Sequence, residues 1–108
     1  MKINILGTEY TITEATESED ANLKDCDGYC DNSTKTIVID KLDVSGPGIK
    51  GDLSQYKKQL YRHEITHAFL CESGLAECSW APNEEMVDWL AIQAPKLVDA
   101  FKSVNALV

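Results

Sequence analysis

The chain has 108 residues, which is enough for one compact domain with its own hydrophobic core. Its composition, 44% hydrophobic and 26% charged, is that of an ordinary globular protein. Eighteen acidic residues against ten basic ones give a formal net charge of −8, which disfavours binding to phosphate backbones and anionic lipid surfaces.

No stretch of the sequence is apolar over the length that a signal peptide or a membrane span requires. We therefore expect a cytoplasmic protein with no nucleic-acid or membrane partner. We expect free thiols at all four cysteines, because a reducing compartment disfavours disulfides. Their spacing also differs from the CxxC pattern of common structural zinc sites. The four are Cys26, Cys30, Cys71 and Cys78.

The first half of the chain has the patterns of β structure. Residues 2–6 and 10–13 alternate between apolar and polar side chains around Gly7-Thr8-Glu9, which predicts a hairpin. Residues 14–25 are polar and predict a loop or a short irregular helix. The segment CDGYCDN, residues 26–32, is typical of a turn, and KTIVID, residues 35–40, predicts a strand. Residues 42–51 contain GPG and predict a loop.

The second half of the chain is helical in pattern. From about residue 53 to residue 72, apolar side chains fall on two sides of a helical wheel, which predicts a mostly buried central helix capped near Gly74. A second helix is predicted to begin at Asn83, and Pro95 should end it, kink it or start a third helix running to about residue 107. About three strands followed by two or three helices predict an α+β domain spanning residues 1–108.

The motif HEITH contains the only two histidines of the chain, His63 and His67, with Glu64 directly after the first. Residues four apart lie one above the other on a helix, so the two imidazoles can face a single metal ion. Glu64 lies about a third of a turn aside, where it can take a proton from a water molecule activated by that metal. Two histidines placed at this spacing by chance are the alternative.

A catalytic zinc ion needs a third protein ligand, and the central helix does not provide one. Leu70 and Ser73 stand where an astacin-like extension requires Gly and His, and Glu72 points away from the histidines. The ligand must therefore come from another element. The next helix offers three carboxylates, those of Glu84, Glu85 and Asp88.

The helical phase of that second helix separates its three acids. Glu84 and Asp88 lie four residues apart at the margin of the apolar face, whereas Glu85 points nearly opposite and should meet solvent. We therefore expect Glu84 to be the third metal ligand and Asp88 to accept a hydrogen bond from a ligand histidine. The alternative is that Glu84 and Glu85 only stabilise the positive end of the helix dipole.

HEITH followed by NEEMVD resembles the gluzincin arrangement HExxH plus ExxxD. Together with the segment CDGYCDNSTKTIVID, residues 26–92 resemble small phage and prophage proteins related to the ImmA/IrrE-type metallopeptidases. The resemblance implies a small zincin-like fold with strands packed on the active-site helix. It also implies Zn²⁺ held by His63, His67 and Glu84, Glu64 as catalytic base, and Asp88 supporting a histidine. Members of this group are associated with cleaving the repressor of a mobile element.

The sequence leaves the group that would stabilise an oxyanion open among Tyr29, Tyr56 and Arg62. It also suggests that residues 35–40 form an edge strand that holds an extended peptide. The function predicted first is a zinc-dependent metallopeptidase that acts on a protein or peptide. The alternatives are a non-catalytic zincin-fold module of phage origin that binds a host or repressor protein, and a hydrolase with a non-peptide substrate.

Overall fold

The structure is a computed structural model that describes residues 1–44, 46–78 and 80–108. It is an α+β domain, as predicted, with a four-stranded mixed sheet at the N-terminus followed by two helices. The elements are β1 (Lys2–Ile5), β2 (Thr8–Ala15), a short 3-10 helix (Ala21–Leu23), β3 (Gly28–Asp31), β4 (Thr36–Asp40), α1 (Ser54–Glu72) and α2 (Glu84–Ser103).

Strands β1 and β2 form the predicted antiparallel hairpin, with Ile5 paired to Thr8. Leu6 and Gly7 form the two-residue connection, with φ values of 51° and 92°. Positive φ at both positions is typical of the turn type that follows the right-handed twist of a hairpin. The turn therefore lies earlier than the predicted Gly7-Thr8-Glu9, and β2 starts at Thr8 and runs on to Ala15.

The sheet has the order β1-β2-β4-β3, with β2 and β4 parallel and the other pairs antiparallel. The prediction of a turn at residues 26–32 was wrong, because this segment contains β3. The prediction that residues 35–40 form an edge was also wrong, since β4 lies between β2 and β3 and the two edge strands are β1 and β3. The glycine and aspartates of this segment favour turns in isolation, but pairing with β4 holds the backbone extended.

One face of the sheet packs against α1 and forms the core. Helix α1 contacts β1, β3 and β4 and also contacts α2, as expected for the central helix. The buried side chains that form this core are Ile5, Tyr10, Ile12, Ile37, Ile39, Leu60 and Ala68.

The C-terminal end of α1 is closed by a Schellman motif. Gly74 has a φ of 78°, its N–H donates to the Cys71 carbonyl at 3.1 Å, and the Leu75 N–H donates to the Leu70 carbonyl at 3.0 Å. Only glycine adopts this left-handed conformation without steric cost. The turn directs the chain towards α2, which begins ten residues after Gly74.

Helix α2 begins as predicted, with the Asn83 side chain accepting a hydrogen bond from the Met86 N–H at 3.0 Å. It then continues through Pro95 to Ser103, so the prediction that Pro95 ends the helix or starts a third one was wrong. Proline has no N–H, and the carbonyl four residues earlier therefore loses its helical partner. That carbonyl belongs to Ala91, and Arg62 Nε of α1 donates to it at 2.6 Å.

Within the described ranges, neither helix combines the length and the apolar character that crossing a membrane would take.

Candidate metal centre

His63 and His67 lie on consecutive turns of α1 and face the same point. Their Nε2 atoms are 3.1 Å apart, and the two rings meet edge to face with centroids 4.8 Å apart. Both side chains are largely buried, with 16% and 22% of their surface exposed. The helical spacing of the HExxH motif produces this convergence directly.

Glu84, the first residue of α2, brings a carboxylate to the same point. Its Oε2 lies 3.0 Å from His63 Nε2, and its Oε1 lies 3.0 Å from His67 Nε2. Glu84 is itself 63% exposed, but its carboxylate reaches both histidines, whereas the exposed Glu85 does not belong to this group. The structure thus brings together the three predicted ligands and separates Glu84 from Glu85 as the helical phase predicted.

Asp88 lies one turn after Glu84 and reaches the other nitrogen of the first histidine. Its Oδ1 is 2.8 Å from His63 Nδ1. A proton on Nδ1 that is donated to Asp88 leaves the lone pair of Nε2 free to bind a metal. The contact between Asp88 and His63 therefore matches the role predicted for this acid.

These contacts bring two imidazole nitrogens and a carboxylate together at one point. Two imidazole nitrogens and a carboxylate repel one another unless a cation or a proton lies between them. The 3.0–3.1 Å separations are close to the ~3.3 Å that separates ligand atoms around a tetrahedral ion with bonds of about 2.0–2.1 Å. The His63, His67 and Glu84 group can hold a metal ion.

Glu64 is the one buried charged residue of the described chain, with 5% of its surface exposed. Its Oε2 lies 3.9 Å from His63 Nε2, which is beyond a hydrogen bond but adjacent to the candidate metal position. Glu64 does not belong to the group of converging ligand atoms. Glu64 therefore lies beside the group that can hold a metal and not within it.

Gly28 of β3 lies close to both β4 and the side chain of Glu64. A Cβ atom at Gly28 would lie 3.2 Å from the carbonyl oxygen of Val38, which is tight, and 3.4 Å from Glu64 Cγ. The backbone of β3 therefore lies in contact with the Glu64 side chain. Sequence analysis missed this role because CDGYCDN was interpreted as a turn, and no local pattern marks a glycine as a close-approach site.

Burial changes the proton affinity of two groups in the centre. Removal from water raises the pKa of the Glu64 carboxyl, and the nearby carboxylates of Glu84 and Asp88 raise it further against the opposing effect of His63. Burial also lowers the pKa of the His67 imidazole, which keeps the ring neutral and its lone pair available. Both shifts suit a base beside a metal ligand near neutral pH.

The three residues left open as oxyanion stabilisers are all engaged in hydrogen bonds. Tyr29 donates its hydroxyl to Asp20 at 2.5 Å, and Tyr56 donates to Asp27 at 2.5 Å. Arg62 donates from Nε to the Ala91 carbonyl of α2. Both tyrosines line cavities that reach the centre, whereas Arg62 lines neither of them.

Two cavities meet at the centre and share three residues, Gly28, His63 and Glu64. The larger one, of about 490 Å³, is lined in addition by Cys26, Tyr29, Cys30, His67, Cys71 and Glu84. The smaller one, of about 200 Å³, is lined in addition by Asp27, Tyr56, Gln59, Leu60 and Asp88. Together they border β3 at Gly28 and meet at His63 and Glu64.

All four cysteines are free thiols, as predicted, and three of them line the larger cavity.

Comparison of the chain with protein-family models, with curated proteins and with solved structures gives no match. The resemblance of the sequence to ImmA/IrrE-type metallopeptidases therefore stays a prediction.

Proposed function

We propose that this chain is a zinc-dependent metallopeptidase that uses Glu64 as its general base. The observation that carries the proposal is a largely buried carboxylate, that of Glu64, which lies beside three converging metal ligands without being one of them. A site that only stabilises the fold has no use for such a group, because burying a carboxylate that binds no metal costs stability. Structural zinc sites also usually have four protein ligands.

Zinc is the metal that this ligand set favours. Two imidazoles and one carboxylate are the ligands of a common class of catalytic zinc sites, which keep a fourth position open. Bound there, zinc would lower the pKa of a water molecule and polarise a substrate carbonyl.

The side chains supply the proton transfers and the orientation. Asp88 holds His63 in the tautomer that leaves Nε2 unprotonated. Glu64 accepts a proton from the attacking water and then delivers it to the amide nitrogen that leaves. Its position beside His63 and under β3 fixes the carboxylate without placing it among the metal ligands.

The edge of β3 supports a peptide as the substrate. Asp40 N–H donates to the Asp27 carbonyl at 2.8 Å, so by antiparallel alternation Gly28 and Cys30 direct their N–H and C=O groups away from β4. An extended peptide can pair with these groups and lie across both cavities. This replaces the earlier hypothesis that residues 35–40 bind the peptide. The sequence resemblance suggests the repressor of a mobile element as the protein to test first.

The test compares wild-type protein with Glu64→Gln and His63→Ala. Glu64→Gln should keep its zinc and its melting temperature but lose peptide cleavage by about a hundredfold to ten-thousandfold, because an amide cannot accept the proton. His63→Ala should lose zinc as well as activity. The measurements are zinc content by mass spectrometry, thermal unfolding, and cleavage of a candidate repressor and of a mixed peptide library. Loss of zinc from Glu64→Gln would make Glu64 a ligand and contradict the assignment.

A non-catalytic interaction module is the second candidate. Exposed apolar side chains on α2 favour it, since Trp89 is 55% exposed and Ile92 is 47% exposed. If zinc-loaded wild-type protein cleaves nothing in the library but binds the candidate repressor, and Glu64→Gln binds it equally well, this second function replaces the first.

A further inference from the structure

We propose that the smaller cavity, bounded by Asp27 and Asp88, binds a cationic nitrogen group of the substrate next to the bond that is cleaved. The group is the side chain of lysine or arginine, or the N-terminal ammonium of the peptide. This inference rests on the proposed peptidase function and adds a substrate class to it.

The cavity lies where a substrate residue next to the cleaved peptide bond would be placed. It shares His63 and Glu64 with the metal centre and reaches from the start of β3 to the first turns of α2. A peptide paired with β3 passes its mouth at Gly28. A side chain on one side of the cleaved bond therefore enters this cavity, and the other side of the bond faces the larger one.

The polar atoms of the cavity are arranged for a donor that carries positive charge. Asp27 uses Oδ2 to accept from Tyr56, and Asp88 uses Oδ1 to contact His63, so each aspartate keeps its second oxygen. No lysine or arginine is present among the residues lining this cavity. An ammonium or guanidinium group would find acceptors on both sides and no competing cation.

The position of Glu64 also indicates that the cavity favours a positively charged group. Its side chain is only 7% exposed, it lines the cavity, and the nearest charged partner is His63 Nε2 at 3.9 Å, too far for a hydrogen bond. When it is ionised, this carboxylate adds negative potential to the cavity, with no cation in hydrogen-bonding contact to offset it.

A metal ion in the centre does not reverse the sign of this field. The carboxylates of Asp27, Glu64, Glu84 and Asp88 all lie at or beside the cavity. Their combined charge exceeds that of one divalent ion, even if Glu64 carries a proton. The larger cavity differs, because thiols and a tyrosine supply most of its remaining lining. The preference for positive charge therefore belongs to one side of the cleaved bond.

The experiment uses zinc-loaded wild-type protein and peptides that differ at a single position. Lysine, arginine, glutamine, norleucine or glutamate is placed in turn on each side of the cleaved bond, with the N-terminus free or acetylated. Peptides with a cationic residue on one side should be cleaved with a kcat/KM at least about tenfold above that of the glutamine and norleucine peptides. If the ligand is the N-terminal ammonium, acetylation removes the preference and the side chain has no effect.

Asp27→Asn tests the cavity directly, and Asp20→Asn is its matched control. Both aspartates accept a tyrosine hydroxyl at 2.5 Å, which asparagine can also accept, but only Asp27 lines the cavity. Asp27→Asn should raise KM for cationic peptides about tenfold and so remove most of their advantage over neutral peptides. Asp20→Asn should leave the advantage of cationic peptides in place. Equal cleavage of cationic and neutral peptides, or no effect of Asp27→Asn, would overturn the proposal.

Binding separates this inference from the proposed function. The affinity of the same peptides is measured by fluorescence anisotropy on Glu64→Gln protein that carries Asp27, Asp27→Asn or Asp20→Asn. Tighter binding of cationic peptides that depends on Asp27 supports the cavity even if wild-type protein cleaves nothing. Cleavage without any charge preference in binding or kinetics supports the peptidase and rejects the cavity.

Discussion

At the scale of single residues, the metal centre follows from helical geometry. The side chains of His63 and His67 converge because residues four apart lie on the same face of a helix. The helical phase of α2 directs Glu84, and not Glu85, towards them. Asp88 follows Glu84 by one turn and meets His63. The contribution of Gly28, Tyr29 and Cys30 of β3 could not be predicted, because it depends on how β3 lies against α1.

The difference between Glu84 and Glu85 gives a direct test. Glu84→Ala removes a carboxylate that lies 3.0 Å from both imidazoles. Loss of a residue that only supports a ligand lowers metal affinity by ~10–100-fold, so loss of this ligand should lower zinc affinity by about a hundredfold or more. Glu85→Ala removes an equal charge from a solvent-exposed position and should change affinity little. Competition with a chromogenic chelator measures both. Equal losses, or a larger loss for Glu85→Ala, would contradict the helical-phase argument.

At the scale of elements, the sequence predicted those with a regular apolar pattern. Alternation of apolar and polar side chains predicted the first hairpin and β4. Helical periodicity predicted α1, and a capping residue predicted the start of α2. Strand β3 was not, because residues 26–32 have turn-forming side chains and become a strand only by pairing with β4. The course of α2 through Pro95 was not predicted either, because the partner of the Ala91 carbonyl comes from a different helix.

The contact between the two helices predicts a coupling between Arg62 and Pro95. With Pro95 present, Arg62→Ala leaves the buried Ala91 carbonyl without a partner and should cost about 1.5–3 kcal/mol of unfolding free energy. With Pro95→Ala, the new N–H can donate to that carbonyl, so Arg62→Ala should cost at least ~1 kcal/mol less.

Urea unfolding of the four proteins in a double-mutant cycle, with excess chelator to remove the contribution of metal, measures this coupling. Lys58→Ala is the matched control, since Lys58 is an exposed cation one turn earlier on α1 and should be additive with Pro95→Ala. Additive effects for Arg62 as well would mean that the two helices are not joined through the Ala91 carbonyl.

At the scale of the whole molecule, polar contacts at the surface and partly below it join both ends of α1 to the sheet. Near its N-terminal end, Glu14 of β2 accepts from Lys57 at 2.9 Å and from Tyr61 at 2.6 Å. At its C-terminal end, Glu72 accepts from Tyr10 and Lys35, each at 2.8 Å. The turns of α1 that carry the two histidines lie between these two contacts, which position them relative to the sheet.

The anchor at Glu72 predicts how stability changes in acid. Hydrogen bonds from Lys35 and then from Tyr10 lower the pKa of Glu72 to about 2, from an ordinary value of 4.5. A carboxyl whose pKa is lowered by folding stabilises the protein above the unfolded pKa, and this contribution is lost as the pH falls towards the folded one. The stabilisation from Glu72 should therefore be complete above about pH 5 and disappear between about pH 4.5 and pH 2.

Glu72→Gln removes this titration while keeping an acceptor for the Tyr10 hydroxyl. The variant should be less stable than wild-type protein at pH 7, and the difference in unfolding free energy should shrink through the same acid window. Glu17→Gln, at an exposed position after β2, is the control and should follow wild-type protein across the range. Urea unfolding from pH 2 to pH 7 with metal removed provides the measurement. A difference between Glu72→Gln and wild-type protein that stays constant down to pH 2 would mean that Glu72 anchors α1 through packing rather than through its charge.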